Sequence, residues 1–422
     1  MGIFALPSFA QTPVPAPPQS GAVLIMGATA HLGNGAVIAN SAIGFEGGKL
    51  TLVADATTIR IDRSKYATVY DAAGKHIYPG FIAPNSTLGL VEIQAARATV
   101  DFADIGQFNP NLRSIVAYNA ESEITPTIRS NGILMAQITP QGGTISGASS
   151  VVQLDAWNWE DAVYRTDGGI HLNWPQIRRV GDGQTGNPAA QKNVDQYGNE
   201  ISAIRRFFDE AASYAKQANP TAKNLRFEAM RSLFEQKSTL FIHVDQAKYI
   251  QESVLFAESL GLKKVLVGAN DAWLIPDFLQ AHQVPVILGK TQSLPAREDE
   301  AVDQTFKTAN LLHQKGVLFA FSNEGFWQQR NLPFQAGQAI GYGLPAEAAV
   351  SALTLHTAQI LGMDATCGSL ETGKDATLFV SEGDALDMRT CKVTLAFIQG
   401  RNISLDNKHK ELNQKYGQKL RQ

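Results

Sequence analysis

Short apolar runs recur along the chain, and longer stretches with helical spacing of apolar positions separate many of them. The runs at 77–84, 133–139, 150–154, 162–172, 239–244, 264–268, 285–288 and 317–322 read as strands. Helical patterns fall at 127–131, at 201–218 with a second run to 237, at 250–260 and at 305–315. A polar insertion occupies 178–200. Strands that alternate with helices predict βα units and a parallel sheet. A count of eight over this length predicts a (β/α)₈ barrel. No self-similarity appears at solenoid periods.

The two ends of the chain read differently. Residues 21–78 are strands and turns, with apolar runs at 23–26 and 50–54 and a Gly47-Gly48 turn. Residues 368–380 form a turn that feeds a buried strand, and 393–398 is a further strand ending at Gly400-Arg401. The basic tail at 408–421 predicts a solvated helix. At the start, residues 1–10 are apolar and close on Ser8-Phe9-Ala10, a small-x-small pattern followed by Gln11 and a Pro-rich stretch. This resembles the end of a secretory signal peptide cleaved before Gln11, which predicts a periplasmic or otherwise exported protein. The basic segment that opens such peptides is missing, so a fortuitously apolar terminus is the alternative.

Composition narrows the function classes. The 422 residues are 44% hydrophobic and 18% charged, as in globular proteins. A net charge of −3 with scattered Lys and Arg excludes the electrostatic footprint of nucleic-acid binding. No apolar stretch reaches the ~18 residues of a membrane span. The two cysteines, Cys367 and Cys391, match no metal spacing; a disulfide and two unrelated thiols are both open.

Four segments carry a resemblance. The run Tyr78-Pro79-Gly80-Phe81-Ile82-Ala83-Pro84-Asn85-Ser86-Thr87-Leu88-Gly89 is one, and Gly368-Ser369-Leu370-Glu371-Thr372-Gly373-Lys374-Asp375-Ala376-Thr377-Leu378 is another. Asn331-Leu332-Pro333-Phe334 with Gly343-Leu344-Pro345, and Leu353-Thr354-Leu355-His356-Thr357-Ala358, add two more. Together they resemble the amidohydrolase superfamily, in particular its imidazolonepropionase- and dihydroorotase-like metal-dependent hydrolases. The resemblance implies an α/β fold: a (β/α)₈ TIM-like barrel plus a small β-sandwich built from N- and C-terminal segments. It sets boundaries of 21–78 and 363–405 for the two sandwich parts and 79–362 for the barrel, leaving 1–20 as the signal-peptide remnant and linker and 406–422 as the tail.

The same resemblance says where chemistry belongs. The family places two His on strand one, often a Lys or Glu on strand four, His on strands five and six, and Asp on strand eight. Here strand one carries Asn85 and Thr87, strand five keeps His243, the strand-six position falls on Gly268 with Asn270 nearby, and strand eight ends in Asn323. His171 stands near the strand-four position. One imidazole does not make a zinc site, which takes three or four ligands, and an amide does not act as a base near neutral pH. By family position His243 and Asn323 are the catalytic candidates, and Asn85, Thr87, His171, Gly268 and Asn270 the ligand-binding ones. Glu324 is expected to face away by strand alternation.

Other features point elsewhere. Residues 142–150 read as a Gly/Ser loop at the barrel mouth, without a phosphate-loop or nucleotide-binding signature. Ser149 and Ser150 lack a nucleophile elbow. Trp157 and Trp159 read first as packing residues, with stacking on a sugar or peptide as the alternative, and Phe326-Trp327 is placed to roof a pocket. His31, His76, His282, His313, His356 and His409 show no ligand spacing. The reading is a family member with an eroded metal site and no cofactor. It binds a small-molecule ligand or acts as a partner subunit, as a homodimer or in a hetero-oligomer with an active homologue. The alternative is an active hydrolase of cyclic amide or dipeptide-like C–N bonds, with zinc in a residual or partner-supplied site.

Overall fold

The computed structural model describes residues 14–177, 188–220, 222–295, 297 and 299–420. The apolar run at 1–10 lies outside them. Eight strands form one sheet in sequence order: β1 (Phe81–Ser86), β2 (Ile133–Ile138), β3 (Ile145–Gln153), β4 (Val163–Asn173), β5 (Thr239–Val244), β6 (Lys264–Gly268), β7 (Val286–Leu288) and β8 (Phe319–Phe321). The sheet curls until its edges nearly meet. Past the strand ends, the Thr87 N–H donates to the Gly325 carbonyl at 3.0 Å, and the Ser86 hydroxyl reaches the same oxygen.

One strand departs from the parallel expectation. β3 runs antiparallel to both β2 and β4, while β1–β2 and β4 through β8 pair in parallel. The reason is connection length. Only residues 139–144 join β2 to β3, and 154–162 join β3 to β4. A parallel crossover needs about a dozen residues or more. The expected Gly/Ser loop is consequently strand from Ile145 onward.

Helices cover the outside of the sheet, among them Ala247–Ser259, Gln304–Gln314 and Leu332–Gly341. The stretch expected as a polar insertion is helical from Pro188, in the long helix Pro188–Ala215; residues 178–187 lie outside the described set. Inside the barrel, side chains two apart on a strand share a face and stack in layers. Ile82, Met135, Val151, Phe241, Val265, Ile287 and Ala320 build an apolar layer, closed from below by Ala358, Ile360, Leu361 and Met363. The next inward positions along β2 to β5 are Gln137, Ser149, His171 and His243, so a polar layer sits on the apolar one.

The β-sandwich has two sheets. One holds Lys49–Asp55, Ser41–Glu46, Val23–Met26 and Thr68–Asp71; the other orders Arg401–Asn402, Val393–Ile398, Leu378–Ser381, His76–Pro79, Thr29–His31 and Val37–Ile38. Both chain ends thus contribute strands to the second sheet. Between the sheets lie Ile25, Ile43, Phe45, Ile77, Leu378 and Phe397. The strand expected at 77–84 is two strands in different sheets, broken at Gly80, where a Cβ would meet Leu134 and Thr377 at 2.9 Å. Cys367 and Cys391 are both free thiols, which closes the disulfide reading. The tail forms the helix Lys408–Leu420 with no buried residue. Among the described residues no helix is long and apolar enough to cross a membrane.

Candidate functional site

A cavity of about 570 Å³ opens at the C-terminal ends of the parallel strands. Asn85, Gln141, Asn173, Gln176, His243, Asp245, Gly268 and Glu324 are among its walls. Its polar groups come from strand tips and the loops beyond them, where barrel folds gather their chemistry.

His243 is the centre of the arrangement. It stands on β5, diagonal to His171 on β4, whose register partner is Phe241. His171 Nδ1 and His243 Nε2 share a hydrogen bond of 2.8 Å, and His171 Nε2 shares another of 2.8 Å with Ser149 Oγ. Gln137 Nε2 donates to Ser149 Oγ at 2.9 Å, and the Asn85 backbone N–H donates to Gln137 Oε1 at 3.1 Å. The His171 ring stacks on Phe241 at 4.9 Å. Burial pushes the His243 pKa down to about 4, and burial with the neighbouring His243 holds His171 well below the ordinary imidazole value. Both rings are therefore neutral near pH 7.

Two carboxyls share the cavity. Asp245 follows β5, accepts a hydrogen bond from the Asn270 backbone N–H, and is raised above the usual carboxyl range, first by burial. Glu324 stands at the rim and is raised by its surroundings and by Asp245, with Lys290 opposing. Glu324 overturns the expectation from strand alternation: β8 ends at Phe321, so the side chain leaves from a loop, where alternation no longer holds.

The predicted residues divide. Asn85, His243 and Gly268 line the cavity, and His171 lies directly behind His243. Asn85 adopts a left-handed backbone conformation, φ 51°, at a register shift between β1 and β2. Asn270 borders a smaller neighbouring cavity. Asn323 is turned into its own loop, with Nδ2 donating to the Gln328 carbonyl at 2.5 Å. Thr87 is buried beside the closing bond to Gly325. Gly268, at the strand-six position, has φ 87°, and a Cβ there would lie 2.7 Å from Asp245 Oδ1. The Asp245 carboxylate thus fills the space a larger residue would need.

Trp157, Trp159 and Trp327 lie away from the cavity. The reversed β3 carries the loop with Trp157 and Trp159 to the opposite end of the barrel, where Trp157 is exposed and Trp159 packs on the core. Trp327 packs near His409 of the tail helix rather than over the cavity. Sequence reasoning missed Gln137, Ser149, Asp245 and Gln176. Asp245 had a signal, lying two residues beyond His243 at the same strand tip; Ser149 had none once its segment was read as a loop.

Among the described residues, no three His, Cys, Asp or Glu side chains converge to hold a metal ion. The sequence profile of the amidohydrolase family matches residues 195–403. Residues 195–403 place the C-terminal half of the chain in the amidohydrolase family. An amidohydrolase from Thermotoga maritima MSB8 superposes with a TM-score of 0.78 at 22% identity, covering 90% of this chain and 99% of that one. Molinate hydrolase superposes with a TM-score of 0.55 at 13% identity, covering 92% of this chain and 95% of that one. Among curated sequences, amidohydrolase tasK of Hapsidospora irregularis is 21% identical over 380 residues, 78% of this chain. The chain spans 36% of the length of that relative.

Proposed function

We propose that the chain is a metal-free amidohydrolase-family protein whose barrel mouth binds a small molecule instead of hydrolysing it around a metal. The carrying observation is the hydrogen bond between His171 Nδ1 and His243 Nε2 at 2.8 Å. It engages the tip nitrogen of the one imidazole that lines the cavity. Zinc takes three or four nitrogen, sulfur or carboxylate ligands at about 2.0–2.3 Å. Here strand one offers a neutral amide in Asn85, strand six offers Gly268, and Asn323 is committed to Gln328. These residues do not fit a catalytic zinc, and no hydrolytic step is assigned to one. The test is elemental analysis of purified protein incubated with excess zinc and then dialysed. The expected content is far below one zinc per chain; about one, surviving dialysis, overturns the reading.

One observation favours a second reading. Asp245 and Glu324 face one cavity with carboxyls raised above their usual range. Carboxyls raised in this way suit general acid–base work better than ordinary ones do. On this reading the protein hydrolyses C–N bonds without metal. A panel of cyclic amides and dipeptide-like substrates, assayed in chelator, would then show turnover that Asp245→Asn abolishes. No turnover from the wild type removes this reading and leaves the first.

A further inference from the structure

The polar layer under the cavity has a direction, and that direction fixes which proton His243 presents. The Asn85 backbone N–H can only donate, so the Gln137 atom it meets at 3.1 Å is the amide oxygen. The amide nitrogen then points at Ser149 Oγ, to which it donates at 2.9 Å. Ser149 is buried, and its own hydroxyl proton needs an acceptor. Among the described residues that acceptor is His171 Nε2, at 2.8 Å. A ring that accepts on Nε2 while neutral carries its proton on Nδ1. His171 Nδ1–H therefore donates to His243 Nε2, at 2.8 Å. His243, neutral in turn, keeps its proton on its own Nδ1. The opposite direction would have His243 donate to His171 and His171 donate to Ser149. It would leave the buried Ser149 proton without an acceptor, a cost folded proteins rarely carry.

We propose that Gln137, Ser149 and His171 are positioning residues that hold His243 as its Nδ1–H tautomer, so that the ring offers the cavity a hydrogen-bond donor. The ligand group that meets it is an acceptor, an oxygen or an unprotonated nitrogen. Asp245 and Glu324 line the same cavity. They disfavour a free carboxylate or phosphate there by like-charge repulsion, so the acceptor belongs to an uncharged group. This inference rests on the metal-free reading, because a zinc ion on Nε2 would displace the bond from His171. It extends that reading: His243 has no free lone pair to lend a metal or to take up a proton while the chain of bonds is intact.

The experiment is long-range ¹H–¹⁵N correlation NMR of the full chain labelled with ¹⁵N-histidine, with His243 signals assigned by their loss in His243→Asn. The expected result is a protonated Nδ1 and a bare Nε2 on both His171 and His243 near pH 7, opposite to the Nε2–H preference of free imidazole side chains. In Ser149→Ala both rings should move toward a tautomer mixture, and Ser149→Thr, which keeps the hydroxyl, should retain the wild-type pattern. A bare Nδ1 on His243 in the wild type overturns the proposal, whether or not Ser149→Ala folds. So does a folded Ser149→Ala protein with unchanged ring shifts. Zinc found in the sample would instead count against the metal-free reading, so the two failures are separable.

Discussion

Gly268 shows how a single residue shapes the cavity wall. Its φ of 87° suits glycine, and a Cβ would press on Asp245 Oδ1 at 2.7 Å. Gly268→His should therefore lose about 1–3 kcal/mol of stability through backbone strain and displacement of Asp245, without gaining zinc affinity. Urea unfolding and zinc titration calorimetry check both halves. The imidazoles make a second prediction. An unfolded His titrates at 6.5, whereas His243 in the fold titrates at about 4. The unfolded chain thus takes up the proton first as pH falls. The contribution of His243 is complete above the unfolded value and disappears between that value and the folded one, a loss of roughly 3 kcal/mol by the acid end. His171 acts in the same sense, its pKa also lowered. Asp245 and Glu324 act oppositely, because raised carboxyls favour the fold at lower pH and weaken it as pH rises. Urea midpoints measured across acidic pH should fall less steeply for His243→Asn than for the wild type. At this scale the sequence pointed to His243 and Gly268 at the strand tips, and both line the cavity. It did not show that Asp245 and Glu324 move into the cavity, because their placement depends on where β5 and β8 end.

At the scale of elements, the registers of β4 and β5 hold the site together. Gly169 on β4 pairs with Thr239, and a Cβ at Gly169 would run into the Phe241 ring, on which His171 stacks. Gly169→Ala should cost about 1–3 kcal/mol as an overpacking change and should disturb the His171–His243 bond. Thermal unfolding gives the first effect and the histidine ring shifts give the second. Strand positions were legible where apolar runs were bounded by turns: β5 and β6 fall on the expected residues 239–244 and 264–268. Two things were not. Gly80 divides an unbroken apolar run because Leu134 and Thr377 crowd it, a tertiary cause. The reversal of β3 was hidden behind the general rule that alternating strands and helices give parallel pairing. The shortness of the 139–144 connection was the signal against it.

At the scale of the whole molecule, the chain ends are pinned to the barrel by a buried charge cluster. Asp155 accepts from Arg129, from Arg401 Nη1 at 2.8 Å and from the Ala16 backbone N–H at 2.9 Å. Asp155→Ala would leave the buried Arg129 without its counter-charge and should cost about 3–5 kcal/mol in urea unfolding. The amidohydrolase architecture itself was readable, because the turn into Leu378 and the run from Tyr78 carry fold information rather than chemistry. What occupies the barrel mouth depends on side chains drawn from β2, β3, β4 and β5 at once, and no single motif announces them. Zinc-edge anomalous diffraction from crystals of the full chain grown with excess zinc tests the central claim most directly. The account predicts no peak in the cavity and an intact His171–His243 hydrogen bond. A strong peak bonded to His243 Nε2, with His171 swung aside, would contradict it.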